Sequence, residues 1–172
     1  CGSTHTEVIA DAVLAHHCHL GLAFDGDADR CLVVDEEGNL VDGDKLIAIF
    51  AQSMRDAGTL KSDTAVVTVM SNLGFFKFAE REGIRTAITK VGDRYVLEEM
   101  LANDYNLGGE QSGHIIFGDD STTGDGQLTA LRLLEILSNR RIKMSKLAAV
   151  MERYPQVLLG IRAENGAKDC ID

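Results

Sequence analysis

The chain has 172 residues, with 17 Lys and Arg against 27 Asp and Glu, a formal charge of −10 and a pI near 4.9. That length suits one ordinary domain, or one domain carrying pieces of its neighbours, and a hydrophobic content of 45% excludes wholesale disorder. The acidity excludes a general nucleic-acid or anionic-membrane binder, because phosphate-rich partners would be repelled, but leaves room for a small phosphorylated molecule held by local cations or a metal.

No apolar run reaches the roughly 20 residues that span a bilayer. The chain opens on Cys1 rather than Met, with no signal-peptide pattern. Cys1, Cys18, Cys31 and Cys170 form no CxxC pair, so free thiols in a reducing cytoplasm are expected.

In chain order, Thr4-His5-Thr6-Glu7 has the form of a capping box, and Val8, Ile9, Ala12 and Val13 recur at helical spacing, predicting a helix over 4–17. Leu20 to Phe24 is expected to form a short buried strand, 25–29 a polar loop, Arg30 to Asp35 a second strand, and Glu36-Glu37-Gly38-Asn39 a turn into a third. Asp44 can cap a helix whose apolar face includes Leu46, Ile47, Ile49 and Phe50. Ala65 to Met70 has the β-branched character of a buried parallel strand. Ser71 can cap the next helix, which carries Phe75, Phe76 and Phe78 and ends at Gly83.

Arg85 to Ile88 follows as a strand and 94–103 as a helix; two short strands flank 110–113. Helices are predicted from Gln127 to Ser138 and from Ser145 to Arg153, with Pro155 marking a boundary. The alternation of strands and helices indicates an α/β fold with a layered mixed or parallel sheet and flanking helices. Gln156 to Arg162 has a strand pattern with no partner left in the sequence, and the first helix–strand unit lacks a sheet of its own. Both point to a segment of a longer protein.

Chemistry concentrates in two loops. In Asp25-Gly26-Asp27-Ala28-Asp29-Arg30, three carboxylates alternate on a tight turn after a strand, an arrangement that suits one hard cation such as magnesium. Arg30 adds a planar fork suited to phosphate. A solvated acidic turn would leave the mutual repulsion of the acids without compensation. An EF-hand fails, because its sixth position would be Arg30 rather than Gly and 31–34 form a strand. A haloacid-dehalogenase-type phosphatase finds its Asp-x-Asp pair in Asp25 and Asp27 and a Gly-Asp-Gly in 124–126, but Asp29 stands where Thr or Val is expected.

The second loop, Gly108-Gly109-Glu110-Gln111-Ser112-Gly113-His114, gathers an acid, an amide, a hydroxyl and an imidazole. Polyol ligands need that mixture, since a carboxylate accepts hydroxyl hydrogens while Ser and Gln complete the network.

Together these motifs resemble the α-D-phosphohexomutase family. The DGDADR loop resembles its magnesium loop and GEQSGH its sugar-binding loop, while Thr89-Lys90-Val91-Gly92-Asp93-Arg94 resembles a third active-site loop. Gly124-Asp125-Gly126 resembles the segment opening the last helix of the family's third domain. Gln111 and the opening Cys1-Gly2-Ser3-Thr4-His5 look most like the phosphoglucosamine mutase branch. The resemblance covers essentially 1–162 and implies the end of domain 2 over 1–43, domain 3 over 44–154, and a linker toward a missing domain 4 over 155–172.

The family transfers a phosphoryl group from a phosphoserine to a hexose monophosphate and recovers it from the other end of the bisphosphate. For this branch, that converts glucosamine 6-phosphate to glucosamine 1-phosphate. The resemblance implies that Asp25, Asp27 and Asp29 bind magnesium and that Arg30 steadies the phosphoryl group. Glu110 and Ser112 would hold sugar hydroxyls, and His114 is a candidate proton shuttle. Lys90, Gly92, Asp93 and Arg94 would line the phosphate and sugar side; glucose and mannose mutases tend to carry His where Asp93 stands.

The sequence has no Ser-His pair and no Ser-Gly-Thr, so the phosphoserine loop of domain 1 and the phosphate loop of domain 4 are missing partners, and this chain alone should not turn over. The partners expected are a hexosamine phosphate and those domains, with neither nucleic acid nor membrane. Alternatives are a glucose or mannose mutase of the same family, a non-catalytic sugar-phosphate-binding module, and the phosphatase.

Other clusters have plainer readings. His16-His17-Cys18-His19 is expected to be a helix terminus rather than a zinc or nickel site. Phe75, Phe76 and Phe78 are expected in the core, Cys31 as a buried thiol. Arg140, Arg141, Lys143 and Lys146 should be solvated helix ends.

Overall fold

The computed structural model describes residues 5–158. Leu20–Phe24 (β1) and Cys31–Asp35 (β2) are joined by a turn too short for a crossover, so they pair antiparallel, with Leu20 opposite Asp35 and Phe24 opposite Cys31. Leu40–Val41 (β3) extends this sheet beside β2. The intervening turn is held by the buried Asp35 carboxylate, which accepts the backbone N–H groups of Glu37 at 3.0 Å and Asn39 at 2.8 Å. Thr6–Ala15 (α1) lies against β1 and β2 and buries Val13. It starts at Thr6 with no side-chain cap from His5; Thr4 of the expected capping box lies outside the described residues.

The second sheet comprises Thr64–Thr68 (β4), Arg85–Thr89 (β5), Leu107–Gly109 (β6) and Ile115–Phe117 (β7), in the order β5-β4-β6-β7. β4 runs parallel to β5 and β6, and β7 returns antiparallel to β6, so the sheet is mixed as expected. Gly43–Asp56 (α2), Leu73–Glu82 (α3), Asp93–Asn103 (α4), Gly126–Arg140 (α5) and Met144–Ala148 (α6) complete the fold. Alternation along β4 sorts the layers. Ala65 and Val67 join the large core with Leu46, Ile47, Ile49 and Phe50 of α2 and Phe75 and Phe78 of α3, whereas Val66 packs with Val96 and Met100 of α4. Each such large apolar side chain contributes about 1.5–3 kcal/mol on burial, before chain entropy is subtracted. Phe76 is half-buried beside that core.

Helix caps differ from expectation. Asp42, not Asp44, caps α2 by accepting the Lys45 N–H at 3.1 Å; Asp44 lies inside the first turn and points inward. Asn72, not Ser71, caps α3, accepting the Gly74 N–H at 3.0 Å. Gly83 ends α3 in the left-handed conformation, φ 65°, as a C-terminal glycine does. α6 stops at Ala148 rather than Arg153, and the Val150 carbonyl is taken by the Arg81 guanidinium at 2.7 Å instead of by a further helical turn. Of the strand expected over 156–162 without a partner in the sequence, residues 156–158 join no ladder within the chain, and 159–162 lie outside the described residues.

Candidate functional site

Because β4, β5 and β6 are parallel, their C-terminal ends share one sheet edge, where open α/β sheets bind ligands. The chain leaves β5 into 90–93, β6 into 110–114 and β4 into 69–72. The Gly-rich loop is stitched to this edge and to the β1–β2 sheet at once. The Gly92 N–H donates to Glu110 Oε1 at 2.9 Å, the Cys31 N–H donates to the Gly113 carbonyl at 3.1 Å, and Arg30 and His114 form an isolated antiparallel bridge. The acidic turn and the Gly-rich loop, distant in sequence, are therefore neighbours.

Within the acidic turn, Asp25, Asp27 and Asp29 each offer a carboxylate oxygen, and these oxygens all lie within 4.8 Å of one another. Ala28 takes a left-handed φ of 60°, which tightens the turn. Arg30 anchors it, its N–H donating to Asp25 Oδ1 at 3.1 Å and its Nε lying 3.6 Å from Asp25 and 3.9 Å from Asp29. Burial opposes ionisation of Asp25, but the Arg30 N–H and neighbouring donors outweigh it and hold the carboxyl below its usual range. Asp29 is raised, first by burial and then by the adjoining acids. Its Oδ1 is buried with no hydrogen-bond partner. An orphaned carboxylate oxygen among three converging acids fits a hard oxygen-seeking cation. Among the described residues, this is the one group of three or more His, Cys, Asp or Glu side chains whose ligand atoms come so close together.

His114 is 3% exposed, with neither ring nitrogen hydrogen-bonded, and Nε2 lies 3.7 Å from Asp29 Oδ2. Gly124 makes room for the ring, since a Cβ there would sit 2.5 Å from His114 Cδ2. Asp125 caps α5 through the Leu128 N–H at 2.9 Å, and the Gly126 N–H donates to the Ala28 carbonyl, also at 2.9 Å. The Gly-Asp-Gly segment thus buttresses the acidic turn through its backbone, and its carboxylate is committed to a helix rather than to the phosphatase chemistry weighed above.

Glu110 is half-buried, with Oε2 uncommitted among the described residues, and Ser112 is exposed. Lys90 and Asp93 are exposed at the same edge, whereas Arg94 is engaged on the outside of α4, its Nε 2.7 Å from Glu98. Cys31 is buried, and burial pushes its thiol up to about 12, which makes it inert. Arg141, Lys143 and Lys146 stand at helix ends as expected, and Arg140 pairs with Asp56 at 3.1 Å.

Sequence reading missed what joins three polar residues at the back of the loop: nothing in the sequence singles out Asn72, Asp44 is expected only as a helix cap and Gln111 as part of the polyol network. Asp44 accepts the Asn72 N–H at 2.7 Å and Gln111 Nε2 at 3.2 Å. The available signal was a glycine between two acids, Asp42-Gly43-Asp44. A Cβ on Gly43 would overlap the Glu110 carbonyl oxygen and lie 2.7 Å from the Gly113 nitrogen, so the loop packs directly on the start of α2.

The model of the phosphoglucomutase/phosphomannomutase α/β/α domain III matches residues 42–154. The phosphoglucosamine mutase of Clostridium acetobutylicum is 57% identical over 169 residues, which are 98% of this chain and 38% of that protein. This chain therefore spans well under half the length of the curated relative. Among solved structures, a phosphoglucomutase/phosphomannomutase family protein from Burkholderia thailandensis superposes with a TM-score of 0.77 at 24% identity, covering 91% of this chain and 33% of that one. The N-acetylphosphoglucosamine mutase of Aspergillus fumigatus, solved with GlcNAc-6P and magnesium, gives 0.63 at 20% identity over 78% of this chain and 33% of its own. At these identities the structural likenesses show the fold. Among the described residues, no helix is long and apolar enough to cross a membrane.

Proposed function

The chain belongs to the phosphoglucomutase/phosphomannomutase family through its α/β/α domain III, and we propose that it is the metal- and sugar-binding portion of a phosphoglucosamine mutase interconverting glucosamine 6-phosphate and glucosamine 1-phosphate. In this reading 1–43 end the second domain, 44–154 are the third, and 155–172 lead to a fourth. The observation that carries it is the convergence of three carboxylates, one with an orphaned buried oxygen, beside a polyol-suited loop on the same sheet edge. The 57% identical relative supports the choice of amino sugar.

Asp25, Asp27 and Asp29 would hold magnesium. The ion would supply compensation for charge gathering on a transferring phosphoryl group. The remaining work falls to the chain's own side chains. Arg30, half-exposed at the turn, presents its guanidinium to phosphate oxygens. Lys90 supplies a second cation. Glu110 uses Oε1 to hold the Gly92 N–H and offers Oε2 to sugar hydroxyls, with Ser112 alongside. Gly92 and Asp93 border the sugar, whereas Arg94, read from the sequence as a third such residue, is held by Glu98 on the outside of α4. Binding hydroxyls instead of the phosphate end lets either orientation of a hexose bisphosphate be accepted. His114, with both ring nitrogens unpartnered, is the proton carrier poised behind Asp29. The phosphorylated substrate and the free thiols of Cys18 and Cys31 favour a cytoplasmic enzyme.

The test uses a protein of the relatives' full length carrying this segment, given glucosamine, glucose and mannose 6-phosphates. The highest kcat/KM is expected on glucosamine 6-phosphate, and Glu110→Gln should lower it by on the order of 100-fold. A preference for glucose or mannose would move the chain to another branch. Release of inorganic phosphate without sugar 1-phosphate would replace a mutase with a phosphatase.

A further inference from the structure

Behind the sugar loop lies a polar cluster that the proposed chemistry leaves unused. Asp44 is fully buried, and its Oδ1 has no hydrogen-bond partner. Among the described residues, no Lys or Arg forms an ion pair with it. An unpaired buried carboxylate is costly, so the bonds it makes must be considered together. Its Oδ2 accepts from the Asn72 backbone at 2.7 Å and from Gln111 Nε2 at 3.2 Å.

Both donors' side chains also hold the segment leaving the domain. Asn72 grips Tyr154 twice, Nδ2 donating to its carbonyl at 2.8 Å and Oδ1 accepting its N–H at 2.9 Å. Gln111 Nε2 also donates to Gln156 Oε1 at 3.4 Å, and Gln156 Nε2 donates to the Met70 carbonyl at 2.9 Å. On the other side, the Gln111 carbonyl accepts the Gly43 N–H at 3.0 Å, and its neighbour Glu110 holds Gly92.

We propose that Asp44 is a positioning residue: through Gln111 and Asn72 it keeps the Glu110–Ser112 turn in register with the exit segment 154–156. A displacement of residues 154–156 is thereby transmitted to the carboxylate assigned to the sugar. The consequence for catalysis rests on the mutase reading, but the coupling itself does not.

Amide hydrogen exchange on the 172-residue chain, without substrate, separates the two. Gln111→Leu keeps the bulk of the side chain and removes the donor. Exchange is expected to quicken at least about fivefold both at Gly92, bonded to Glu110, and at Tyr154, bonded to Asn72, while the buried amides of Val66 and Val67 in β4 keep their protection. A change at Gly92 alone would overturn the coupling, as would no change at either. If β4 also opens, the variant has merely unfolded the domain, and the exposed Gln156→Leu decides. That variant should quicken Gly92 by about threefold, and an unchanged rate there would overturn the proposal.

Discussion

The same tripeptide, Asp-Gly-Asp, occurs at 25–27 and at 42–44 and ends in opposite environments. At 25–27 it follows β1 into an open turn, where a Cβ on Gly26 would meet nothing within 4 Å and a third acid, Asp29, joins the pair. At 42–44 it enters α2 under the Gly-rich loop: Asp42 caps the helix and Asp44 is sealed inside, bonded to backbone and amide donors. Two acids and a glycine thus form the proposed cation site where like charges converge in partial exposure, and a structural hub where each carboxylate finds N–H donors. Chemical meaning comes from the donors and the space around the acids.

Substitution of the two glycines should separate the sites most sharply. Gly43→Ala must displace the Glu110 carbonyl and the Gly113 amide, and is expected to cost at least about 3 kcal/mol in urea unfolding. A loss under about 1 kcal/mol would show that the loop does not rest on α2 as described.

Next in size is a pH effect confined to the second site. Burial pushes Asp44 up to about 6 from its ordinary 3.8, with Asp42 adding repulsion against the backbone and side-chain bonds that lower it. The folded chain therefore holds this proton more tightly than the unfolded chain. Its contribution is fully present below pH 4 and is lost as pH rises through about 6, by on the order of 3 kcal/mol in all. Asp44→Asn stays neutral and should lack that slope. Parallel stability profiles for wild type and variant between pH 4 and 7 would contradict the assignment.

The smallest effect is expected for Gly26→Ala, within about 0.5 kcal/mol of wild-type stability. A larger loss, measured by the same unfolding experiment, would mean that the acidic turn is as tightly packed as the buried site.

The fold was largely legible because its layers follow local periodicity. The run read as a strand from Ala65 to Met70 gave an interior strand, which spans Thr64–Thr68, and the polar loops between apolar runs fell where predicted. Caps were less legible. Asp42, Asp44, Ser71 and Asn72 are all competent caps, and only tertiary partners decide which side-chain oxygen turns toward its own helix. The strand pattern over 156–162 is expected to lack a partner within the chain, and its described part, 156–158, joins no ladder while Gln156 donates to the Met70 carbonyl through its side chain.

At the site, Asp25, Asp27 and Asp29 stood out because their spacing is local. The link among Asp44, Asn72 and Gln111 did not, since Asp44 meets its partners 28 and 67 residues away, although Gln111 itself stood out in the Gly-rich loop. Likewise, the burial of His114 depends on Gly124 and on the bridge to Arg30, which no short window reveals.

The most direct measurement is calorimetric titration of magnesium into the 172-residue chain and its Asp27→Asn variant. The account predicts saturable binding to the wild type and at least about a tenfold loss of affinity in the variant, with the Val66 and Val67 amides equally protected in both. Equal affinity in the two proteins would contradict a cation site at Asp25, Asp27 and Asp29.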